Sequence, residues 1–190
     1  MEENHLSRTL IIILVAVNAS LYTVIGSLTY FGIVLFGVRF WPAVIVPGVF
    51  SVLFGPFVGG VGAAIGIFLS DMISHGMPFL SISVGVTSNF IAFYILGYAT
   101  REYSLKRYMV AAIFSLLVGS AIIGVGVWAW SQFFLLPGAM EVSSMPLFFA
   151  WSTFVWTFVS EIPFLLILVP PIVEVAWKIG LPMIKKGEQT

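Results

Sequence analysis

The sequence predicts an all-α, polytopic membrane protein with six transmembrane helices. Three observations carry this expectation. Of 190 residues, 60% are hydrophobic and only 8% charged, whereas soluble domains run near a quarter charged. Residues 10–38 and 40–70 contain no charged side chain. The cations fall almost entirely on one side of a six-helix layout. A soluble chain of this size could not bury so much apolar surface, but lipid accepts helices that are apolar on every side.

The whole chain, 1–190, reads as a single transmembrane domain. The first span covers about 9–30. Arg8 precedes it, and the apolar run continues well past the short core of a cleavable leader, so it is expected to be retained. A span needs roughly 20 apolar residues, and the second, about 40–54, is short; residues 31–39 are expected to form a partly inserted loop leading into it. Gly55-Pro56 then breaks the chain before a third span at 57–74. His75-Gly76-Met77-Pro78 separates it from the fourth, 80–99. Arg101 to Arg107 precedes the fifth, 108–131, and Pro137-Gly138 opens a loop before the sixth, 148–176.

Arg8, Arg101, Lys106, Arg107, Lys178, Lys185 and Lys186 share one side of this layout, and Arg39 lies on the other. Cytoplasmic loops are enriched in Lys and Arg. The chain is therefore expected in the cell membrane with both termini cytoplasmic. A formal net charge of zero argues against a nucleic-acid partner. With no cysteine, disulfides and thiolate metal sites are excluded.

Gly55, Gly59, Gly62, Gly66 and Ser70 recur at helical spacing and make one small-residue stripe along the third span. Small residues let two backbones approach closely in lipid, so the stripe reads as packing. It is no phosphate loop, because no GK[ST] follows it. The first span carries another small patch, Ala16, Ala19, Ser20, Thr23 and Ser27. Internal packing and a docking face for another membrane protein both fit its spacing.

Enzyme signatures such as HExxH and GxSxG are missing, and Glu161 has no second acid beside it in sequence. The expectation is a non-enzyme with no catalytic residue, no metal site and no cofactor. Asp71 and His75, four apart, could share a face at the outer end of the third span, as a water-exposed terminus or a gate contact; they are too few for a metal site. Glu161 sits deep in the last span, where a carboxylate costs several kcal/mol unless paired, protonated or hydrated. Pro163 loosens the helix beside it. Trp151, Phe154, Phe158 and Glu161 step along one helical face. Trp128, Trp130 and Gln132 end the fifth span, and Asn89 lies inside the fourth. Aromatic walls with a few polar groups describe a small-ligand pocket; an interfacial aromatic belt suits the tryptophans equally. The candidate substrate-binding residues are Asn89, Trp128, Gln132, Trp151, Phe158 and Glu161.

Residues 39–76, RFWPAVIVPGVFSVLFGPFVGGVGAAIGIFLSDMISHG, carry a family resemblance. Arg39 and Pro42 open the second span, Leu53-Phe54-Gly55-Pro56 closes it, the third is glycine-rich from Gly59 to Gly66, and Asp71 ends it. In this the chain resembles the S component of an energy-coupling factor (ECF) vitamin transporter, as it does in length and layout. The resemblance implies a substrate-binding subunit that takes a vitamin or related micronutrient from outside. It implies docking on a transmembrane T component driven by two cytoplasmic ATPase subunits, and toppling in the membrane to release the ligand. The family's AxxxA patch on the first helix contacts the T component; here that place reads Ala16-Val17-Asn18-Ala19-Ser20, with Ser20 for the second Ala. Ala16, Ala19 and Ser20 are thus the expected partner interface. Family ligands contact the outer ends of helices four to six, where Asn89, Gln132, Trp151 and Glu161 fall. The aromatic residues favour a flat heterocycle as ligand. The competing expectation is a small integral membrane scaffold or assembly protein without a small-molecule ligand, its polar residues in spans four to six facing lipid or packed interfaces.

Overall fold

The computed structural model describes residues 7–29 and 31–179; Lys185 and Lys186 lie outside them. The described chain is mostly helical. In order it forms α1 (Arg8–Thr29), a hairpin of β1 (Val34–Leu35) and β2 (Val38–Arg39), a 3-10 turn (Pro42–Val44) leading into α2 (Ile45–Phe54), α3 (Pro56–Ser74), α4 (Pro78–Ala99), α5 (Leu105–Ser131) and α6 (Leu147–Lys178). All but α2 are long and apolar enough to cross a membrane. The ten residues of α2 rise only about 15 Å at ~1.5 Å per residue, half of a ~30 Å hydrocarbon core. The outward faces are apolar: Ile12, Leu28, Ile73, Phe114 and Ile167 are all exposed.

The predicted glycine stripe is the packing axis. On α1 the buried positions Val15, Asn18, Ala19, Tyr22, Thr23 and Gly26 recur at helical spacing and face inward. A Cβ on Gly62 would overlap the Asn18 side chain, and one on Gly66 would sit 2.8 Å from the Ala19 carbonyl oxygen. A Cβ on Gly59 would collide with Ser51 of α2. Asn18 fills the space that Gly62 leaves, donating from Nδ2 to the carbonyls of Val58 at 2.9 Å and Gly59 at 3.3 Å. Asn18, a polar side chain within an apolar helix, is thus a clamp between α1 and α3. Thr23 adds to it, bonding the Gly66 carbonyl at 2.9 Å. Gly55 joins α2 to α3 at φ 91°, a conformation that a side chain would strain.

The segment expected as a partly inserted loop is a tight hairpin. Val34 pairs with Arg39 and Leu35 with Val38, so Phe36 and Gly37 make the turn, at φ 51° and 75°. Positive φ at both central residues matches the twist of a hairpin, but it strains phenylalanine. Contacts to α6 hold it: Thr153 Oγ1 bonds the Phe36 carbonyl at 3.2 Å, and Trp156 Nε1 donates to the Val38 carbonyl at 3.1 Å.

The fourth span holds a second irregularity, for residues Ser81–Val86 form a π-helical turn within α4. Such wide turns gather at functional sites.

Candidate functional site

At the end of the bundle where the hairpin lies, a cavity of about 300 Å³ opens among the helices. That is the lower end of the range for small-ligand pockets, ~300–1,000 Å³. Tyr22 of α1, Trp41, Ile67 and Asp71 of α3, Ser81 and Gly85 of the π turn, Asn89, Val127 of α5 and Glu161 of α6 contribute to its wall. The hairpin (Val34, Gly37, Val38 and Arg39) and Pro137-Gly138 close its loop end.

The polar side is built around Asp71, which is 8% exposed, a buried anchor rather than a water-exposed terminus. Arg39 Nη2 lies 2.6 Å from its Oδ1, and Ser81 Oγ donates to Oδ2 at 2.7 Å. Arg39 also donates to the hydroxyls of Ser70 and Ser74 and lies over the Trp41 ring, 4.1 Å from its centroid. His75 Nε2 is 3.6 Å from Asp71 Oδ1. Its Nδ1 accepts the Met77 backbone N–H, so in the neutral ring the hydrogen sits on Nε2, facing the carboxylate. Gly85 makes the arrangement possible, because a Cβ there would come 2.8 Å from Asp71 Oδ2. The π turn therefore brings both Ser81 and a bare backbone against the acid. The hairpin, α3 and α4 are tied together by charge-assisted bonds, the stronger kind.

Asn89 lines the same cavity. Its Oδ1 accepts the Tyr22 hydroxyl at 2.6 Å and its Nδ2 donates to the Gly85 carbonyl at 2.9 Å. Tyr22 is fully buried, edge-on to Trp41 at 5.9 Å and to Phe93 at 6.3 Å. Glu161 lies across the cavity at 7% exposure. Its carboxylate makes no hydrogen bond or ion pair among the described residues. The nearby hydroxyls on α6 are committed elsewhere: Thr157 to the Thr153 carbonyl and Ser160 to the Thr157 carbonyl.

Of the residues expected to bind substrate, the structure brings Asn89 and Glu161 to the cavity and leaves Trp128, Gln132, Trp151 and Phe158 out of its wall. Trp128 Nε1 and Gln132 Nε2 both donate to the Met145 carbonyl, at 3.0 and 2.9 Å, and so pin the α5–α6 connection. Trp151 is 62% exposed on the outside of α6 and packs on Phe154. Phe158 packs against the main core. Trp151, Phe154 and Phe158 form a run of ring contacts along α6, and of the face they share with Glu161 only the Glu161 end reaches the cavity. Arg39, Tyr22, Trp41 and Ser81 were missed. The readable signal was charge: Arg39 and Asp71 are opposite charges at the same end of an apolar chain, where an unpaired charge is costly.

The expected partner patch divides. Ala16 and Ser20 are exposed on α1, whereas Ala19, at 3% exposure, packs on α3 and is not a surface residue. No group of His, Asp and Glu able to hold a metal converges among the described residues.

The class of protein defined here is a helical bundle with the length and apolarity of a membrane protein and a ligand-sized cavity at one end. No protein-family model, curated protein or solved structure matches the chain.

Proposed function

We propose that the chain is the substrate-binding membrane subunit of an energy-coupling factor transporter, taking up a vitamin or related micronutrient. The observation that carries this reading is the end-on cavity whose wall a deeply placed, unpartnered carboxylate, Glu161, shares with Tyr22, Trp41 and Asn89. Buried polar groups are otherwise satisfied in folded proteins, and an orphaned acid in a cavity is the feature a ligand completes. A scaffold with no ligand would leave this acid without purpose. The test is native mass spectrometry of the purified protein for a co-purified small molecule. Glu161→Gln should weaken its binding by about ten- to a hundredfold, since a hydrogen bond to a charged group contributes ~1.5–3 kcal/mol. Unchanged affinity in well-folded Glu161→Gln protein counts against the site.

In this reading the chain crosses the cell membrane six times, α2 and the hairpin together serving as the second crossing. Arg8, Arg101, Lys106, Arg107 and Lys178 lie at the end opposite the cavity, which supports cytoplasmic termini and a cavity facing outward. The chain has no cysteine, so a single one placed at Gly138 should react with an impermeant maleimide in intact cells, and one at Ser104 should not. The reverse pattern would invert the orientation.

The transmembrane T component, driven by two ATPase subunits, is assigned to the exposed Ala16 and Ser20 on α1. Leucine at both positions should abolish co-purification with those subunits while ligand binding persists, because bulk keeps helices apart. Assembly that survives both leucines places the interface elsewhere.

A further inference from the structure

We infer that the ligand carries a single positive charge on a flat, unsaturated ring system, and that Glu161 is its counter-ion. This rests on the cavity being the binding site proposed above. The charged and titratable groups that line it are Tyr22, Arg39, Asp71, His75 and Glu161. Asp71 is the guanidinium's partner at 2.6 Å and also accepts from Ser81. The Arg39–Asp71 pair is thus internally compensated, and Glu161 is left as a carboxylate without a cation. A buried carboxylate is strongly disfavoured as an anion when alone, and a ligand cation supplies the missing charge. The surroundings suit a delocalised cation better than an ammonium with a tight water shell. The Trp41 face is already covered by Arg39 and Tyr22 is fully buried, so Glu161 is the group left to meet the positive charge, in a wall that offers little water to a tightly hydrated ion. Ile67, Leu80, Val84, Ile123 and Val127 add an apolar stretch to the wall. An anionic ligand has no such place, because the one guanidinium is already engaged by Asp71, Ser70, Ser74 and the Trp41 face.

The experiment uses benzamidinium, benzamide and benzoate, ring compounds of nearly one shape that carry a positive, zero and negative charge. Each is titrated calorimetrically into the full-length protein in lipid nanodiscs, stripped of any co-purified compound. Benzamidinium should bind at least tenfold more tightly than either of the others, and Glu161→Gln should remove that preference. If benzamide binds as tightly as benzamidinium, Glu161 acts as a neutral hydrogen-bond donor and the charge assignment falls, while the pocket stands. If benzoate binds best, the cationic class is likewise overturned and Arg39 becomes the recognition group. Should none of them bind to folded wild-type protein, the charge assignment and the pocket reading both fail. The ranking in wild-type protein decides the matter even if the Glu161→Gln variant does not fold.

Discussion

Asp71→Ala should lower the stability of the protein by about 2–4 kcal/mol. Removing one partner of a buried ion pair typically costs ~3–5 kcal/mol. The side chains of Arg39 and Asp71 retain 13% and 11% exposure at the cavity, so water relieves part of that penalty. The loss has several components, because Asp71 also accepts from Ser81 and faces His75. For a chain of this size ~1 kcal/mol corresponds to ~2–4 °C, so thermal unfolding followed by light scattering should show a drop of roughly 5–15 °C. Converting both partners, Arg39→Met with Asp71→Leu, should recover a large share of it, since the penalty comes from the stranded guanidinium. Equal destabilisation by the single and double variants would show that the pair is incidental to holding the hairpin down.

Gly62→Ala should cost about 2–5 kcal/mol, at a position outside the cavity wall. The added methyl would overlap the Asn18 side chain, and overpacking a fitted contact costs ~1–3 kcal/mol. If Asn18 moves aside, its amide gives up the Val58 and Gly59 carbonyls, and stranding a buried polar group adds ~1–3 kcal/mol. The double variant Gly62→Ala with Asn18→Ala should be more stable than Gly62→Ala alone, because the smaller residue returns the space. Wild-type stability in the single variant would mean that α1 does not lie against α3 at this level.

The helices and their glycine seam were legible because both depend on local spacing: an apolar run of sufficient length is a helix in lipid, and small residues every third or fourth position make a close face. Glu161 and Asn89 were legible for a related reason, as polar groups inside apolar runs stand out against their background. The rest of the cavity was not. Arg39 and Asp71 are separated by 32 positions, and no periodicity links them. Trp151 and Phe158 share a face with Glu161 by spacing, yet at ~100° per residue Trp151 and Glu161 stand about 80° apart on it, and periodicity does not tell which edge of the face meets the cavity. At this level the bundle turns Trp151 outward. The hairpin escaped notice because its turn, Phe36-Gly37, lacks the usual Asn-Gly or Asp-Gly signature. The strain is absorbed by Thr153 and by the Phe149 ring, 6.3 Å from that of Phe36, which are far away in sequence.

The π turn at Ser81–Val86 bears on how the lining of such a cavity changes over generations. A wide turn is what a helix becomes when one residue has been inserted and the flanking packing has held. Deleting one residue there would restore the ordinary pitch with the flanking turns still in register, so that only the side chains of the turn itself, Ser81 to Val86, change which of them reach the wall. The remainder of α4, from Thr87 to Ala99, sits in its seam with Pro56 of α3 and Ala92 against Gly119 of α5 and would be undisturbed. A single codon gained or lost in this stretch therefore re-indexes the lining of the cavity without rewriting the bundle.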